Sequence, residues 1–359
     1  MFSKVEQFWR GLAAGRRRGA GDLLLVGILA VGALPYGELL RLRAWAYAAG
    51  VLPSRRLDRP VISVGNIAVG GTGKTPMTAL IARHLMEQGK RVAVLSRGYG
   101  GASRGEARIV SDGSALLMSA AESGDEPYLL AKELPGLMVI IGHDRYEAGR
   151  VAVRQLNPDL FILDDGFQHL RLQRDLNILL LDGRNPFGNG MTLPAGLLRE
   201  PRTALGRADL IVLTRSTAGG AVPAGLPPGV PILRAGHRQI GVLPVNGGTR
   251  QPLSALSGER ALAFAGIADP AGFFEALSGE GVDLVATRAF PDHAGYGEAA
   301  IDELCRLRDD AGATCLITTA KDAVKLESFI KRLGPVMVAG LELELYDREV
   351  LEQALRPFS

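Results

Sequence analysis

Cysteine is nearly absent from this 359-residue chain: Cys305 and Cys315 are the only two. Two thiols build neither a disulfide framework nor a four-ligand zinc site, so both are expected as small hydrophobes, one in a helix and one in a strand, in a reducing compartment. Net charge is also small. Against 41 Lys and Arg stand 38 Asp and Glu, leaving +3, and no bulk binding of nucleic acid is implied. An apolar run long enough for a bilayer, about 20 residues, is missing too. Residues 23–34 are continuously apolar but fall short of that length. No internal repeat or low-complexity tract occurs, which excludes a repeat array. The length leaves room for roughly two domains.

What the chain does have is a glycine-rich loop in residues 61–76, VISVGNIAVGGTGKTP. A β-branched run reads as a buried strand, the glycines as a turn, and residues 74–88 as a helix. Strand, glycine loop, Lys-Thr and helix form the layout that cradles phosphates. Gly70, Gly71 and Gly73 free the backbone to aim its N–H groups, with that of Thr72, at a polyphosphate. The helix N-terminus adds positive potential. Lys74 brings a full charge, and the Thr75 hydroxyl is a candidate Mg²⁺ ligand. Pro76 falls in the first helical turn, where a missing N–H costs nothing. One position departs from the generic pattern: Ala68 stands where the first glycine is usual.

Ahead of this loop, Arg16, Arg17 and Arg18 precede the apolar run, and Arg41, Arg43, Trp45 and Tyr47 follow it in a second amphipathic stretch, 39–52. Such a segment suits contact with a membrane surface, monotopic rather than spanning; a core helix with solvated arginines is the plainer alternative. From Pro60 onward strands are expected at 61–65, 91–96, 107–111, 137–142, 160–164, 176–181 and 208–214. Helices are expected at 126–134 and 144–155. That alternation builds a parallel sheet covered on both faces. The Gly/Pro-rich stretch 216–228 closes this unit. A second alternation has strands at 261–265, 283–288, 314–318 and 335–339, with helices at 270–278, 299–311 and 321–332. The expected fold is therefore α/β: a three-layer phosphate-loop domain (59–231), a hairpin connector (232–258), a smaller α/β domain (259–359) and an N-terminal membrane-associated segment (1–58).

Several strand ends carry candidate chemistry, on the side where open α/β sheets bind ligands. Residues 161–165, FILDD, resemble a Walker B strand whose carboxylate faces nucleotide-bound Mg²⁺. Asp125, in Gly-Asp-Glu-Pro, is either a helix cap or a general base for an attacking hydroxyl. His293, in Phe-Pro-Asp-His, is either a surface histidine or a group tuning a carboxylate across a cleft. Arg97 and Tyr99 in SRGYG, Arg145 opening a helix, and Arg199 in LPAGLLRE suit a phosphorylated sugar; taken singly, each reads first as a solvated side chain, and their value is that several follow strands of the same sheet.

Taken in order, GGTGKTP (70–76), SRGYG (96–100), GDEP (124–127), DDGFQH (164–169), LPAGLLRE (193–200), FPDH (290–293) and TAKDAVK (319–325) resemble the tetraacyldisaccharide 4′-kinases of lipid A biosynthesis. The resemblance spans nearly the whole chain, and DDGFQH is its most specific piece. It implies an enzyme at the cytoplasmic face of the Gram-negative inner membrane, peripheral or monotopic. Such an enzyme moves the ATP γ-phosphate to the 4′-hydroxyl of a tetraacylated glucosamine disaccharide 1-phosphate, giving lipid IVA. It further implies two α/β domains that close on each other through a β-hairpin. Carried over by motif, Asp125 would be the base with His293 as its partner, and Lys74 would hold the β/γ-phosphates. Thr75, Asp164 and Gln168 would lie near Mg²⁺, and Arg97, Tyr99, Arg145 and Arg199 would hold the lipid headgroup. Ala320, where the family often has Glu, and Ala294 depart from the pattern and leave the 318–325 loop with no role beyond structure. Without the resemblance, a membrane-associated ATPase or nucleotide switch uses the same loop and strand; the Arg- and Tyr-bearing loops favour an acceptor cleft.

Overall fold

The computed structural model describes residues 2–102 and 105–359; Met1, at the head of the N-terminal segment, lies outside the described residues, as do Ser103 and Arg104. The chain opens with α1 (Phe2–Ala13) and α2 (Ala20–Ala48). It then alternates: β1 (Val61–Asn66), α3 (Lys74–Glu87), β2 (Val92–Ser96), β3 (Arg108–Asp112), α4 (Ala120–Ser123), α5 (Asp125–Glu133), β4 (Met138–Ile141), α6 (Arg145–Gln155), β5 (Leu160–Asp164), β6 (Leu176–Asp182) and β7 (Leu210–Thr214). β8 (Ile232–Pro244) leads to β9 (Arg260–Ala265), α7 (Pro270–Gly279), β10 (Asp283–Ala289), α8 (Glu298–Ala311), β11 (Cys315–Thr319), α9 (Ala320–Ala323), α10 (Ile330–Leu333), β12 (Val336–Leu345) and α11 (Arg348–Leu355).

The strands join in the order β10-β9-β11-β12-β8-β7-β6-β1-β5-β2-β4-β3. From β8 to β4 the neighbours are parallel, and β3 closes that edge antiparallel. The strand interiors are apolar on both faces, as a sheet covered by two helical layers requires. In β1, Ile62 and Val64 enter one core and Val61 the other; in β2, Val92 and Val94 face one way and Ala93 and Leu95 the other. The second group repeats the pattern with unequal sizes. Along β9, Ala261, Ala263 and Ala265 pack one side while Leu262 and Phe264 fill the other. Cys305 falls in α8 and the buried Cys315 in β11, both as free thiols.

Four local expectations change. Residues 20–48 form one helix that runs through Pro35, so the apolar run and the amphipathic stretch after it are continuous, and the helix is long and apolar enough to cross a membrane by length and composition. Pro35 lies on the exposed side, where the Val31 carbonyl that loses its helical donor is open to solvent. Residues 232–258 pair with themselves only at the antiparallel bridge of Val242 with Gln251. Their long strand β8 starts beside β7 and continues antiparallel to β12, about a hundred positions away, so the two-stranded ribbon between the sheets is assembled from distant segments. The helix expected over 321–332 is broken into α9, a 3₁₀ turn at Glu327–Phe329 and α10. Finally, Leu351 and Leu355 of α11 bury in the same core as Ile62 and Val64, so the C-terminal helix packs on the first sheet and not on the second.

Candidate active site

The glycine loop leaves β1 and enters α3 as its spacing requires. Gly70 and Gly73 hold φ of 128° and 80°, backbone open to glycine and costly to other residues. Asn66 donates from Nδ2 to the Thr72 hydroxyl at 2.9 Å, bracing the loop from inside. Ala68 needs no glycine freedom, since it is extended and bridges to Leu198, with the Val69 N–H on the Leu197 carbonyl at 2.8 Å. The LPAGLLRE segment is thereby stitched to the phosphate loop.

A cleft of about 2400 Å³ opens above the strand ends. Its walls include Gly70 to Thr75, Arg97, Tyr99, Arg145, Asp164, Gln168 and Arg199 from the first sheet's side, and His293 from the second's. Asp125 is not on the wall itself; Glu126 beside it is. All the residues singled out in the sequence thus converge on or border one space.

The two Walker-type aspartates differ sharply. Asp164 is wholly buried, accepts a hydrogen bond from Thr78 Oγ1 at 3.1 Å, and is pushed up to about 7 by burial and by the charges of Glu126 and Asp165. Asp165 sits at φ 52°; burial resists its charge, but Lys74 at 3.6 Å and Arg199 at 2.9 Å hold it below the usual carboxylate range. Arg199, expected on the headgroup, is therefore engaged with this carboxylate. Gln168 donates from Nε2 to the Asn66 carbonyl at 2.7 Å and to Glu200 at 3.0 Å, and no described donor reaches its Oε1. Glu200 is clamped in turn by Arg207, two bonds of 2.8 Å. A divalent cation fits this region: a buried carboxylate whose charge lacks a close cation, a threonine hydroxyl at the helix start and an uncommitted amide oxygen are the hard donors Mg²⁺ takes. Thr75, Asp164 and Gln168 would supply them.

Arg145 is buried, bonds the carbonyls of Gly142 and His143, and is lowered to about 10 by burial and by Arg97, so it keeps its charge at neutral pH. Its Nε has no described partner. His169 next to it is lowered to about 4 by burial and by Arg145, and its buried Nε2 is unpaired. Nothing in the sequence pattern singled it out except its place in DDGFQH.

Asp125 is the first residue of α5, but it is not the cap. Gly124 holds that position with no side-chain cap bond. At φ 91° Gly124 packs so closely that an added Cβ would stand 2.5 Å from the Tyr99 carbonyl oxygen, which locks the SRGYG loop against the start of α5. The Asp125 carboxylate turns instead toward the second sheet, where its Oδ2 meets His293 Nδ1 at 3.3 Å and Lys325 Nζ at 2.8 Å. Burial resists its ionisation, yet those two partners hold it below the ordinary value. His293 itself sits at φ 59° with the Tyr99 ring edge-on at 5.3 Å. Lys321 lies 3.1 Å from both Glu126 Oε1 and His293 Nε2, so with Nε2 accepting, the ring donates from Nδ1 to Asp125. The TAKDAVK segment, expected to be only structural, thus contributes two cations to the site. Lys321, Lys325 and Glu126 carry no role in the sequence reading, though the TAKDAVK and GDEP motifs hold them.

The sequence pattern of the family described as Tetraacyldisaccharide-1-P 4′-kinase matches residues 25–358. A tetraacyldisaccharide 4′-kinase of Geobacter sulfurreducens is 58% identical over 351 residues, covering 97% of this chain and 98% of the relative. One from Geobacter metallireducens is 59% identical over 334 residues, covering 93% and 98%. The crystal structure of LpxK from Aquifex aeolicus in complex with ATP superposes with a TM-score of 0.78 at 36% identity, covering 93% of this chain and 99% of that one.

Proposed function

Starting from the fact that this chain belongs to the tetraacyldisaccharide-1-P 4′-kinase family and is an ATP-dependent kinase of lipid A biosynthesis, we propose how its residues divide the work. The acceptor is a tetraacylated disaccharide 1-phosphate. Its 4′-oxygen attacks the γ-phosphorus of ATP, its proton passes to Asp125, and ADP leaves. Gly70 to Thr75 hold the polyphosphate through backbone N–H groups, and Lys74 neutralises the outer phosphates. Thr75, Asp164 and Gln168 would hold Mg²⁺, which would supply charge neutralisation for the transferring phosphate. Arg97, Tyr99 and Arg145 present cations and a ring to the 1-phosphate and sugars, while Arg199 stays paired with Asp165.

The observation that carries this reading is the carboxylate of Asp125. It is spared from capping its helix and is met instead by His293 from the other sheet. Asp125→Asn is expected to lower kcat by roughly 10²-fold or more, read as label transfer from ATP to the purified lipid acceptor; a near-normal rate would sink the assignment. A second reading has one observation in its favour: His293, and not Asp125, lines the cleft. In that case His293 Nε2, once released from Lys321, takes the proton and Asp125 orients the ring, and His293→Ala should cost more than Asp125→Asn.

Residues 1–58 act as the membrane contact, at the cytoplasmic face of the inner membrane. The face of α2 bearing Leu24, Ile28, Val31, Leu34 and Leu42 is exposed, while the opposite face packs on the enzyme, with Thr192 donating to the Ala33 carbonyl at 2.9 Å and Arg43 to that of Gln168 at 3.2 Å. A helix held along one side supports lying on the bilayer rather than crossing it. The two sheets act as lobes that close over the cleft.

A further inference from the structure

Lys325 has no part in that scheme, yet its ammonium makes the shortest contact to Asp125. We infer that Lys325 is a positioning residue for phosphoryl transfer: it fixes one oxygen of Asp125 so that the other is presented to the acceptor hydroxyl. The inference rests on the reading that the Asp125–His293 pair takes the proton.

Lys321 and Lys325 are four residues apart on the turn that begins with α9, which puts both ammoniums on one side. They meet consecutive carboxylates at the start of α5, Lys321 on Glu126 at 3.1 Å and Lys325 on Asp125 at 2.8 Å. Lys325 and His293 both contact Oδ2 of Asp125, and no described donor reaches Oδ1. Lys325 is itself held: its side chain is 12% exposed, it donates to the Ala294 carbonyl at 3.0 Å, and it lies 5.9 Å from the centre of the Tyr296 ring. That tether explains why Ala294 suffices in the FPDH loop, since its backbone and not its side chain is used. The pinned carboxylate can neither rotate nor draw in a water as a substitute, and misplacement on the ångström scale is enough to suppress transfer. The charged and titratable groups facing Asp125 are Glu126 from its own helix, Asp292, His293 and Tyr296 from the loop after β10, and Lys321 and Lys325 from the α9 turn. Lys325 is a close, hydrogen-bonded cation among them, so removing it raises the pH at which Asp125 takes up a proton.

The test uses the full-length enzyme with MgATP and the lipid acceptor. Lys325→Met should lower kcat by roughly 10²-fold with the KM for ATP little changed, and should move the acidic limb of the kcat profile to higher pH. Lys325→Arg should leave that limb in place and lose less activity. An unchanged kcat, or a loss with the limb unmoved and arginine no better than methionine, would overturn the inference. If the methionine variant does not fold, the arginine variant decides alone: a limb displaced from wild type refutes it. Asp125→Asn is measured in parallel. If that variant is near normal, the proton-acceptor reading has failed; if it is dead while Lys325→Met is normal, only the positioning role has failed.

Discussion

Asp164 gives the sharpest stability prediction because burial and like charge act on it together. It is 2% exposed, and burial, Glu126 and Asp165 raise its carboxyl from 3.8 to about 7 against the pull of Lys74 and the Thr78 hydrogen bond. Between those two values the folded protein keeps a proton that the unfolded chain has lost. Stability of the ligand-free protein therefore falls as pH rises through that window and levels off above about 7. Each tenfold gain in proton affinity on folding corresponds to about 1.4 kcal/mol, so the accumulated penalty is on the order of 4 kcal/mol. Asp164→Asn keeps the shape and an acceptor for Thr78 while removing the titration. Urea unfolding at about pH 4, 5.5 and 7.5 should find variant and wild type alike at the acidic end and the variant progressively more stable toward neutrality. Titrating groups remote from Asp164 act on both proteins and cancel in the difference; Glu126 and Asp165, which share its field, add to the same trend. A difference that stays constant across the range would refute the argument. The stabilised variant should transfer phosphate poorly, since an amide cannot offer the charge a divalent cation needs.

Gly124→Ala forces a side chain into a φ of 91° and within 2.5 Å of the Tyr99 carbonyl oxygen; a loss of about 2 kcal/mol in chemical denaturation and a fall in kcat are expected, and an unchanged midpoint would contradict the close packing. Glu200→Gln leaves the Arg207 guanidinium without its paired carboxylate; thermal unfolding should show a loss on the order of 3 kcal/mol, and a neutral result would mean water replaces the pair. On α2, Ile28→Gln with Val31→Gln changes exposed positions only and adds no charge; co-sedimentation with anionic vesicles should drop while Tm holds, and equal sedimentation would remove this face from membrane contact.

The phosphate loop and the Asp-Asp strand end were legible because their chemistry is local. A strand, three glycines and a Lys-Thr at a helix start need only neighbours in sequence to point at a phosphate. Apolar alternation likewise located β1, β5 and β9 to within a residue or two. Pairing was not legible. The sequence marks extended pieces in 232–258 and a strand near β12, but not that β8 and β12 form one ribbon. The apolar face of α11 says that it packs, but not on which sheet. Proline removes a helical N–H, so Pro35 reads as a break, yet the structure tolerates it on an exposed face. No glycine or proline marks the interruption after α9; the buried Leu326 and the tethered Lys325 hold the chain there.

Sequence by itself determined that this chain holds a nucleoside triphosphate at the end of a parallel sheet, because that site is written in one contiguous stretch whose geometry follows from backbone preferences. Tertiary structure alone decided which of two adjacent aspartates is buried and which is ion-paired. It also decided that Asp125 is a carboxylate turned toward His293 and Lys325 and not a cap. His293 and Lys321 reach the start of α5 across 168 and 195 positions of sequence. Contacts at that range depend on how β8 and β12 join the two strand groups, a property that no local pattern of residues contains.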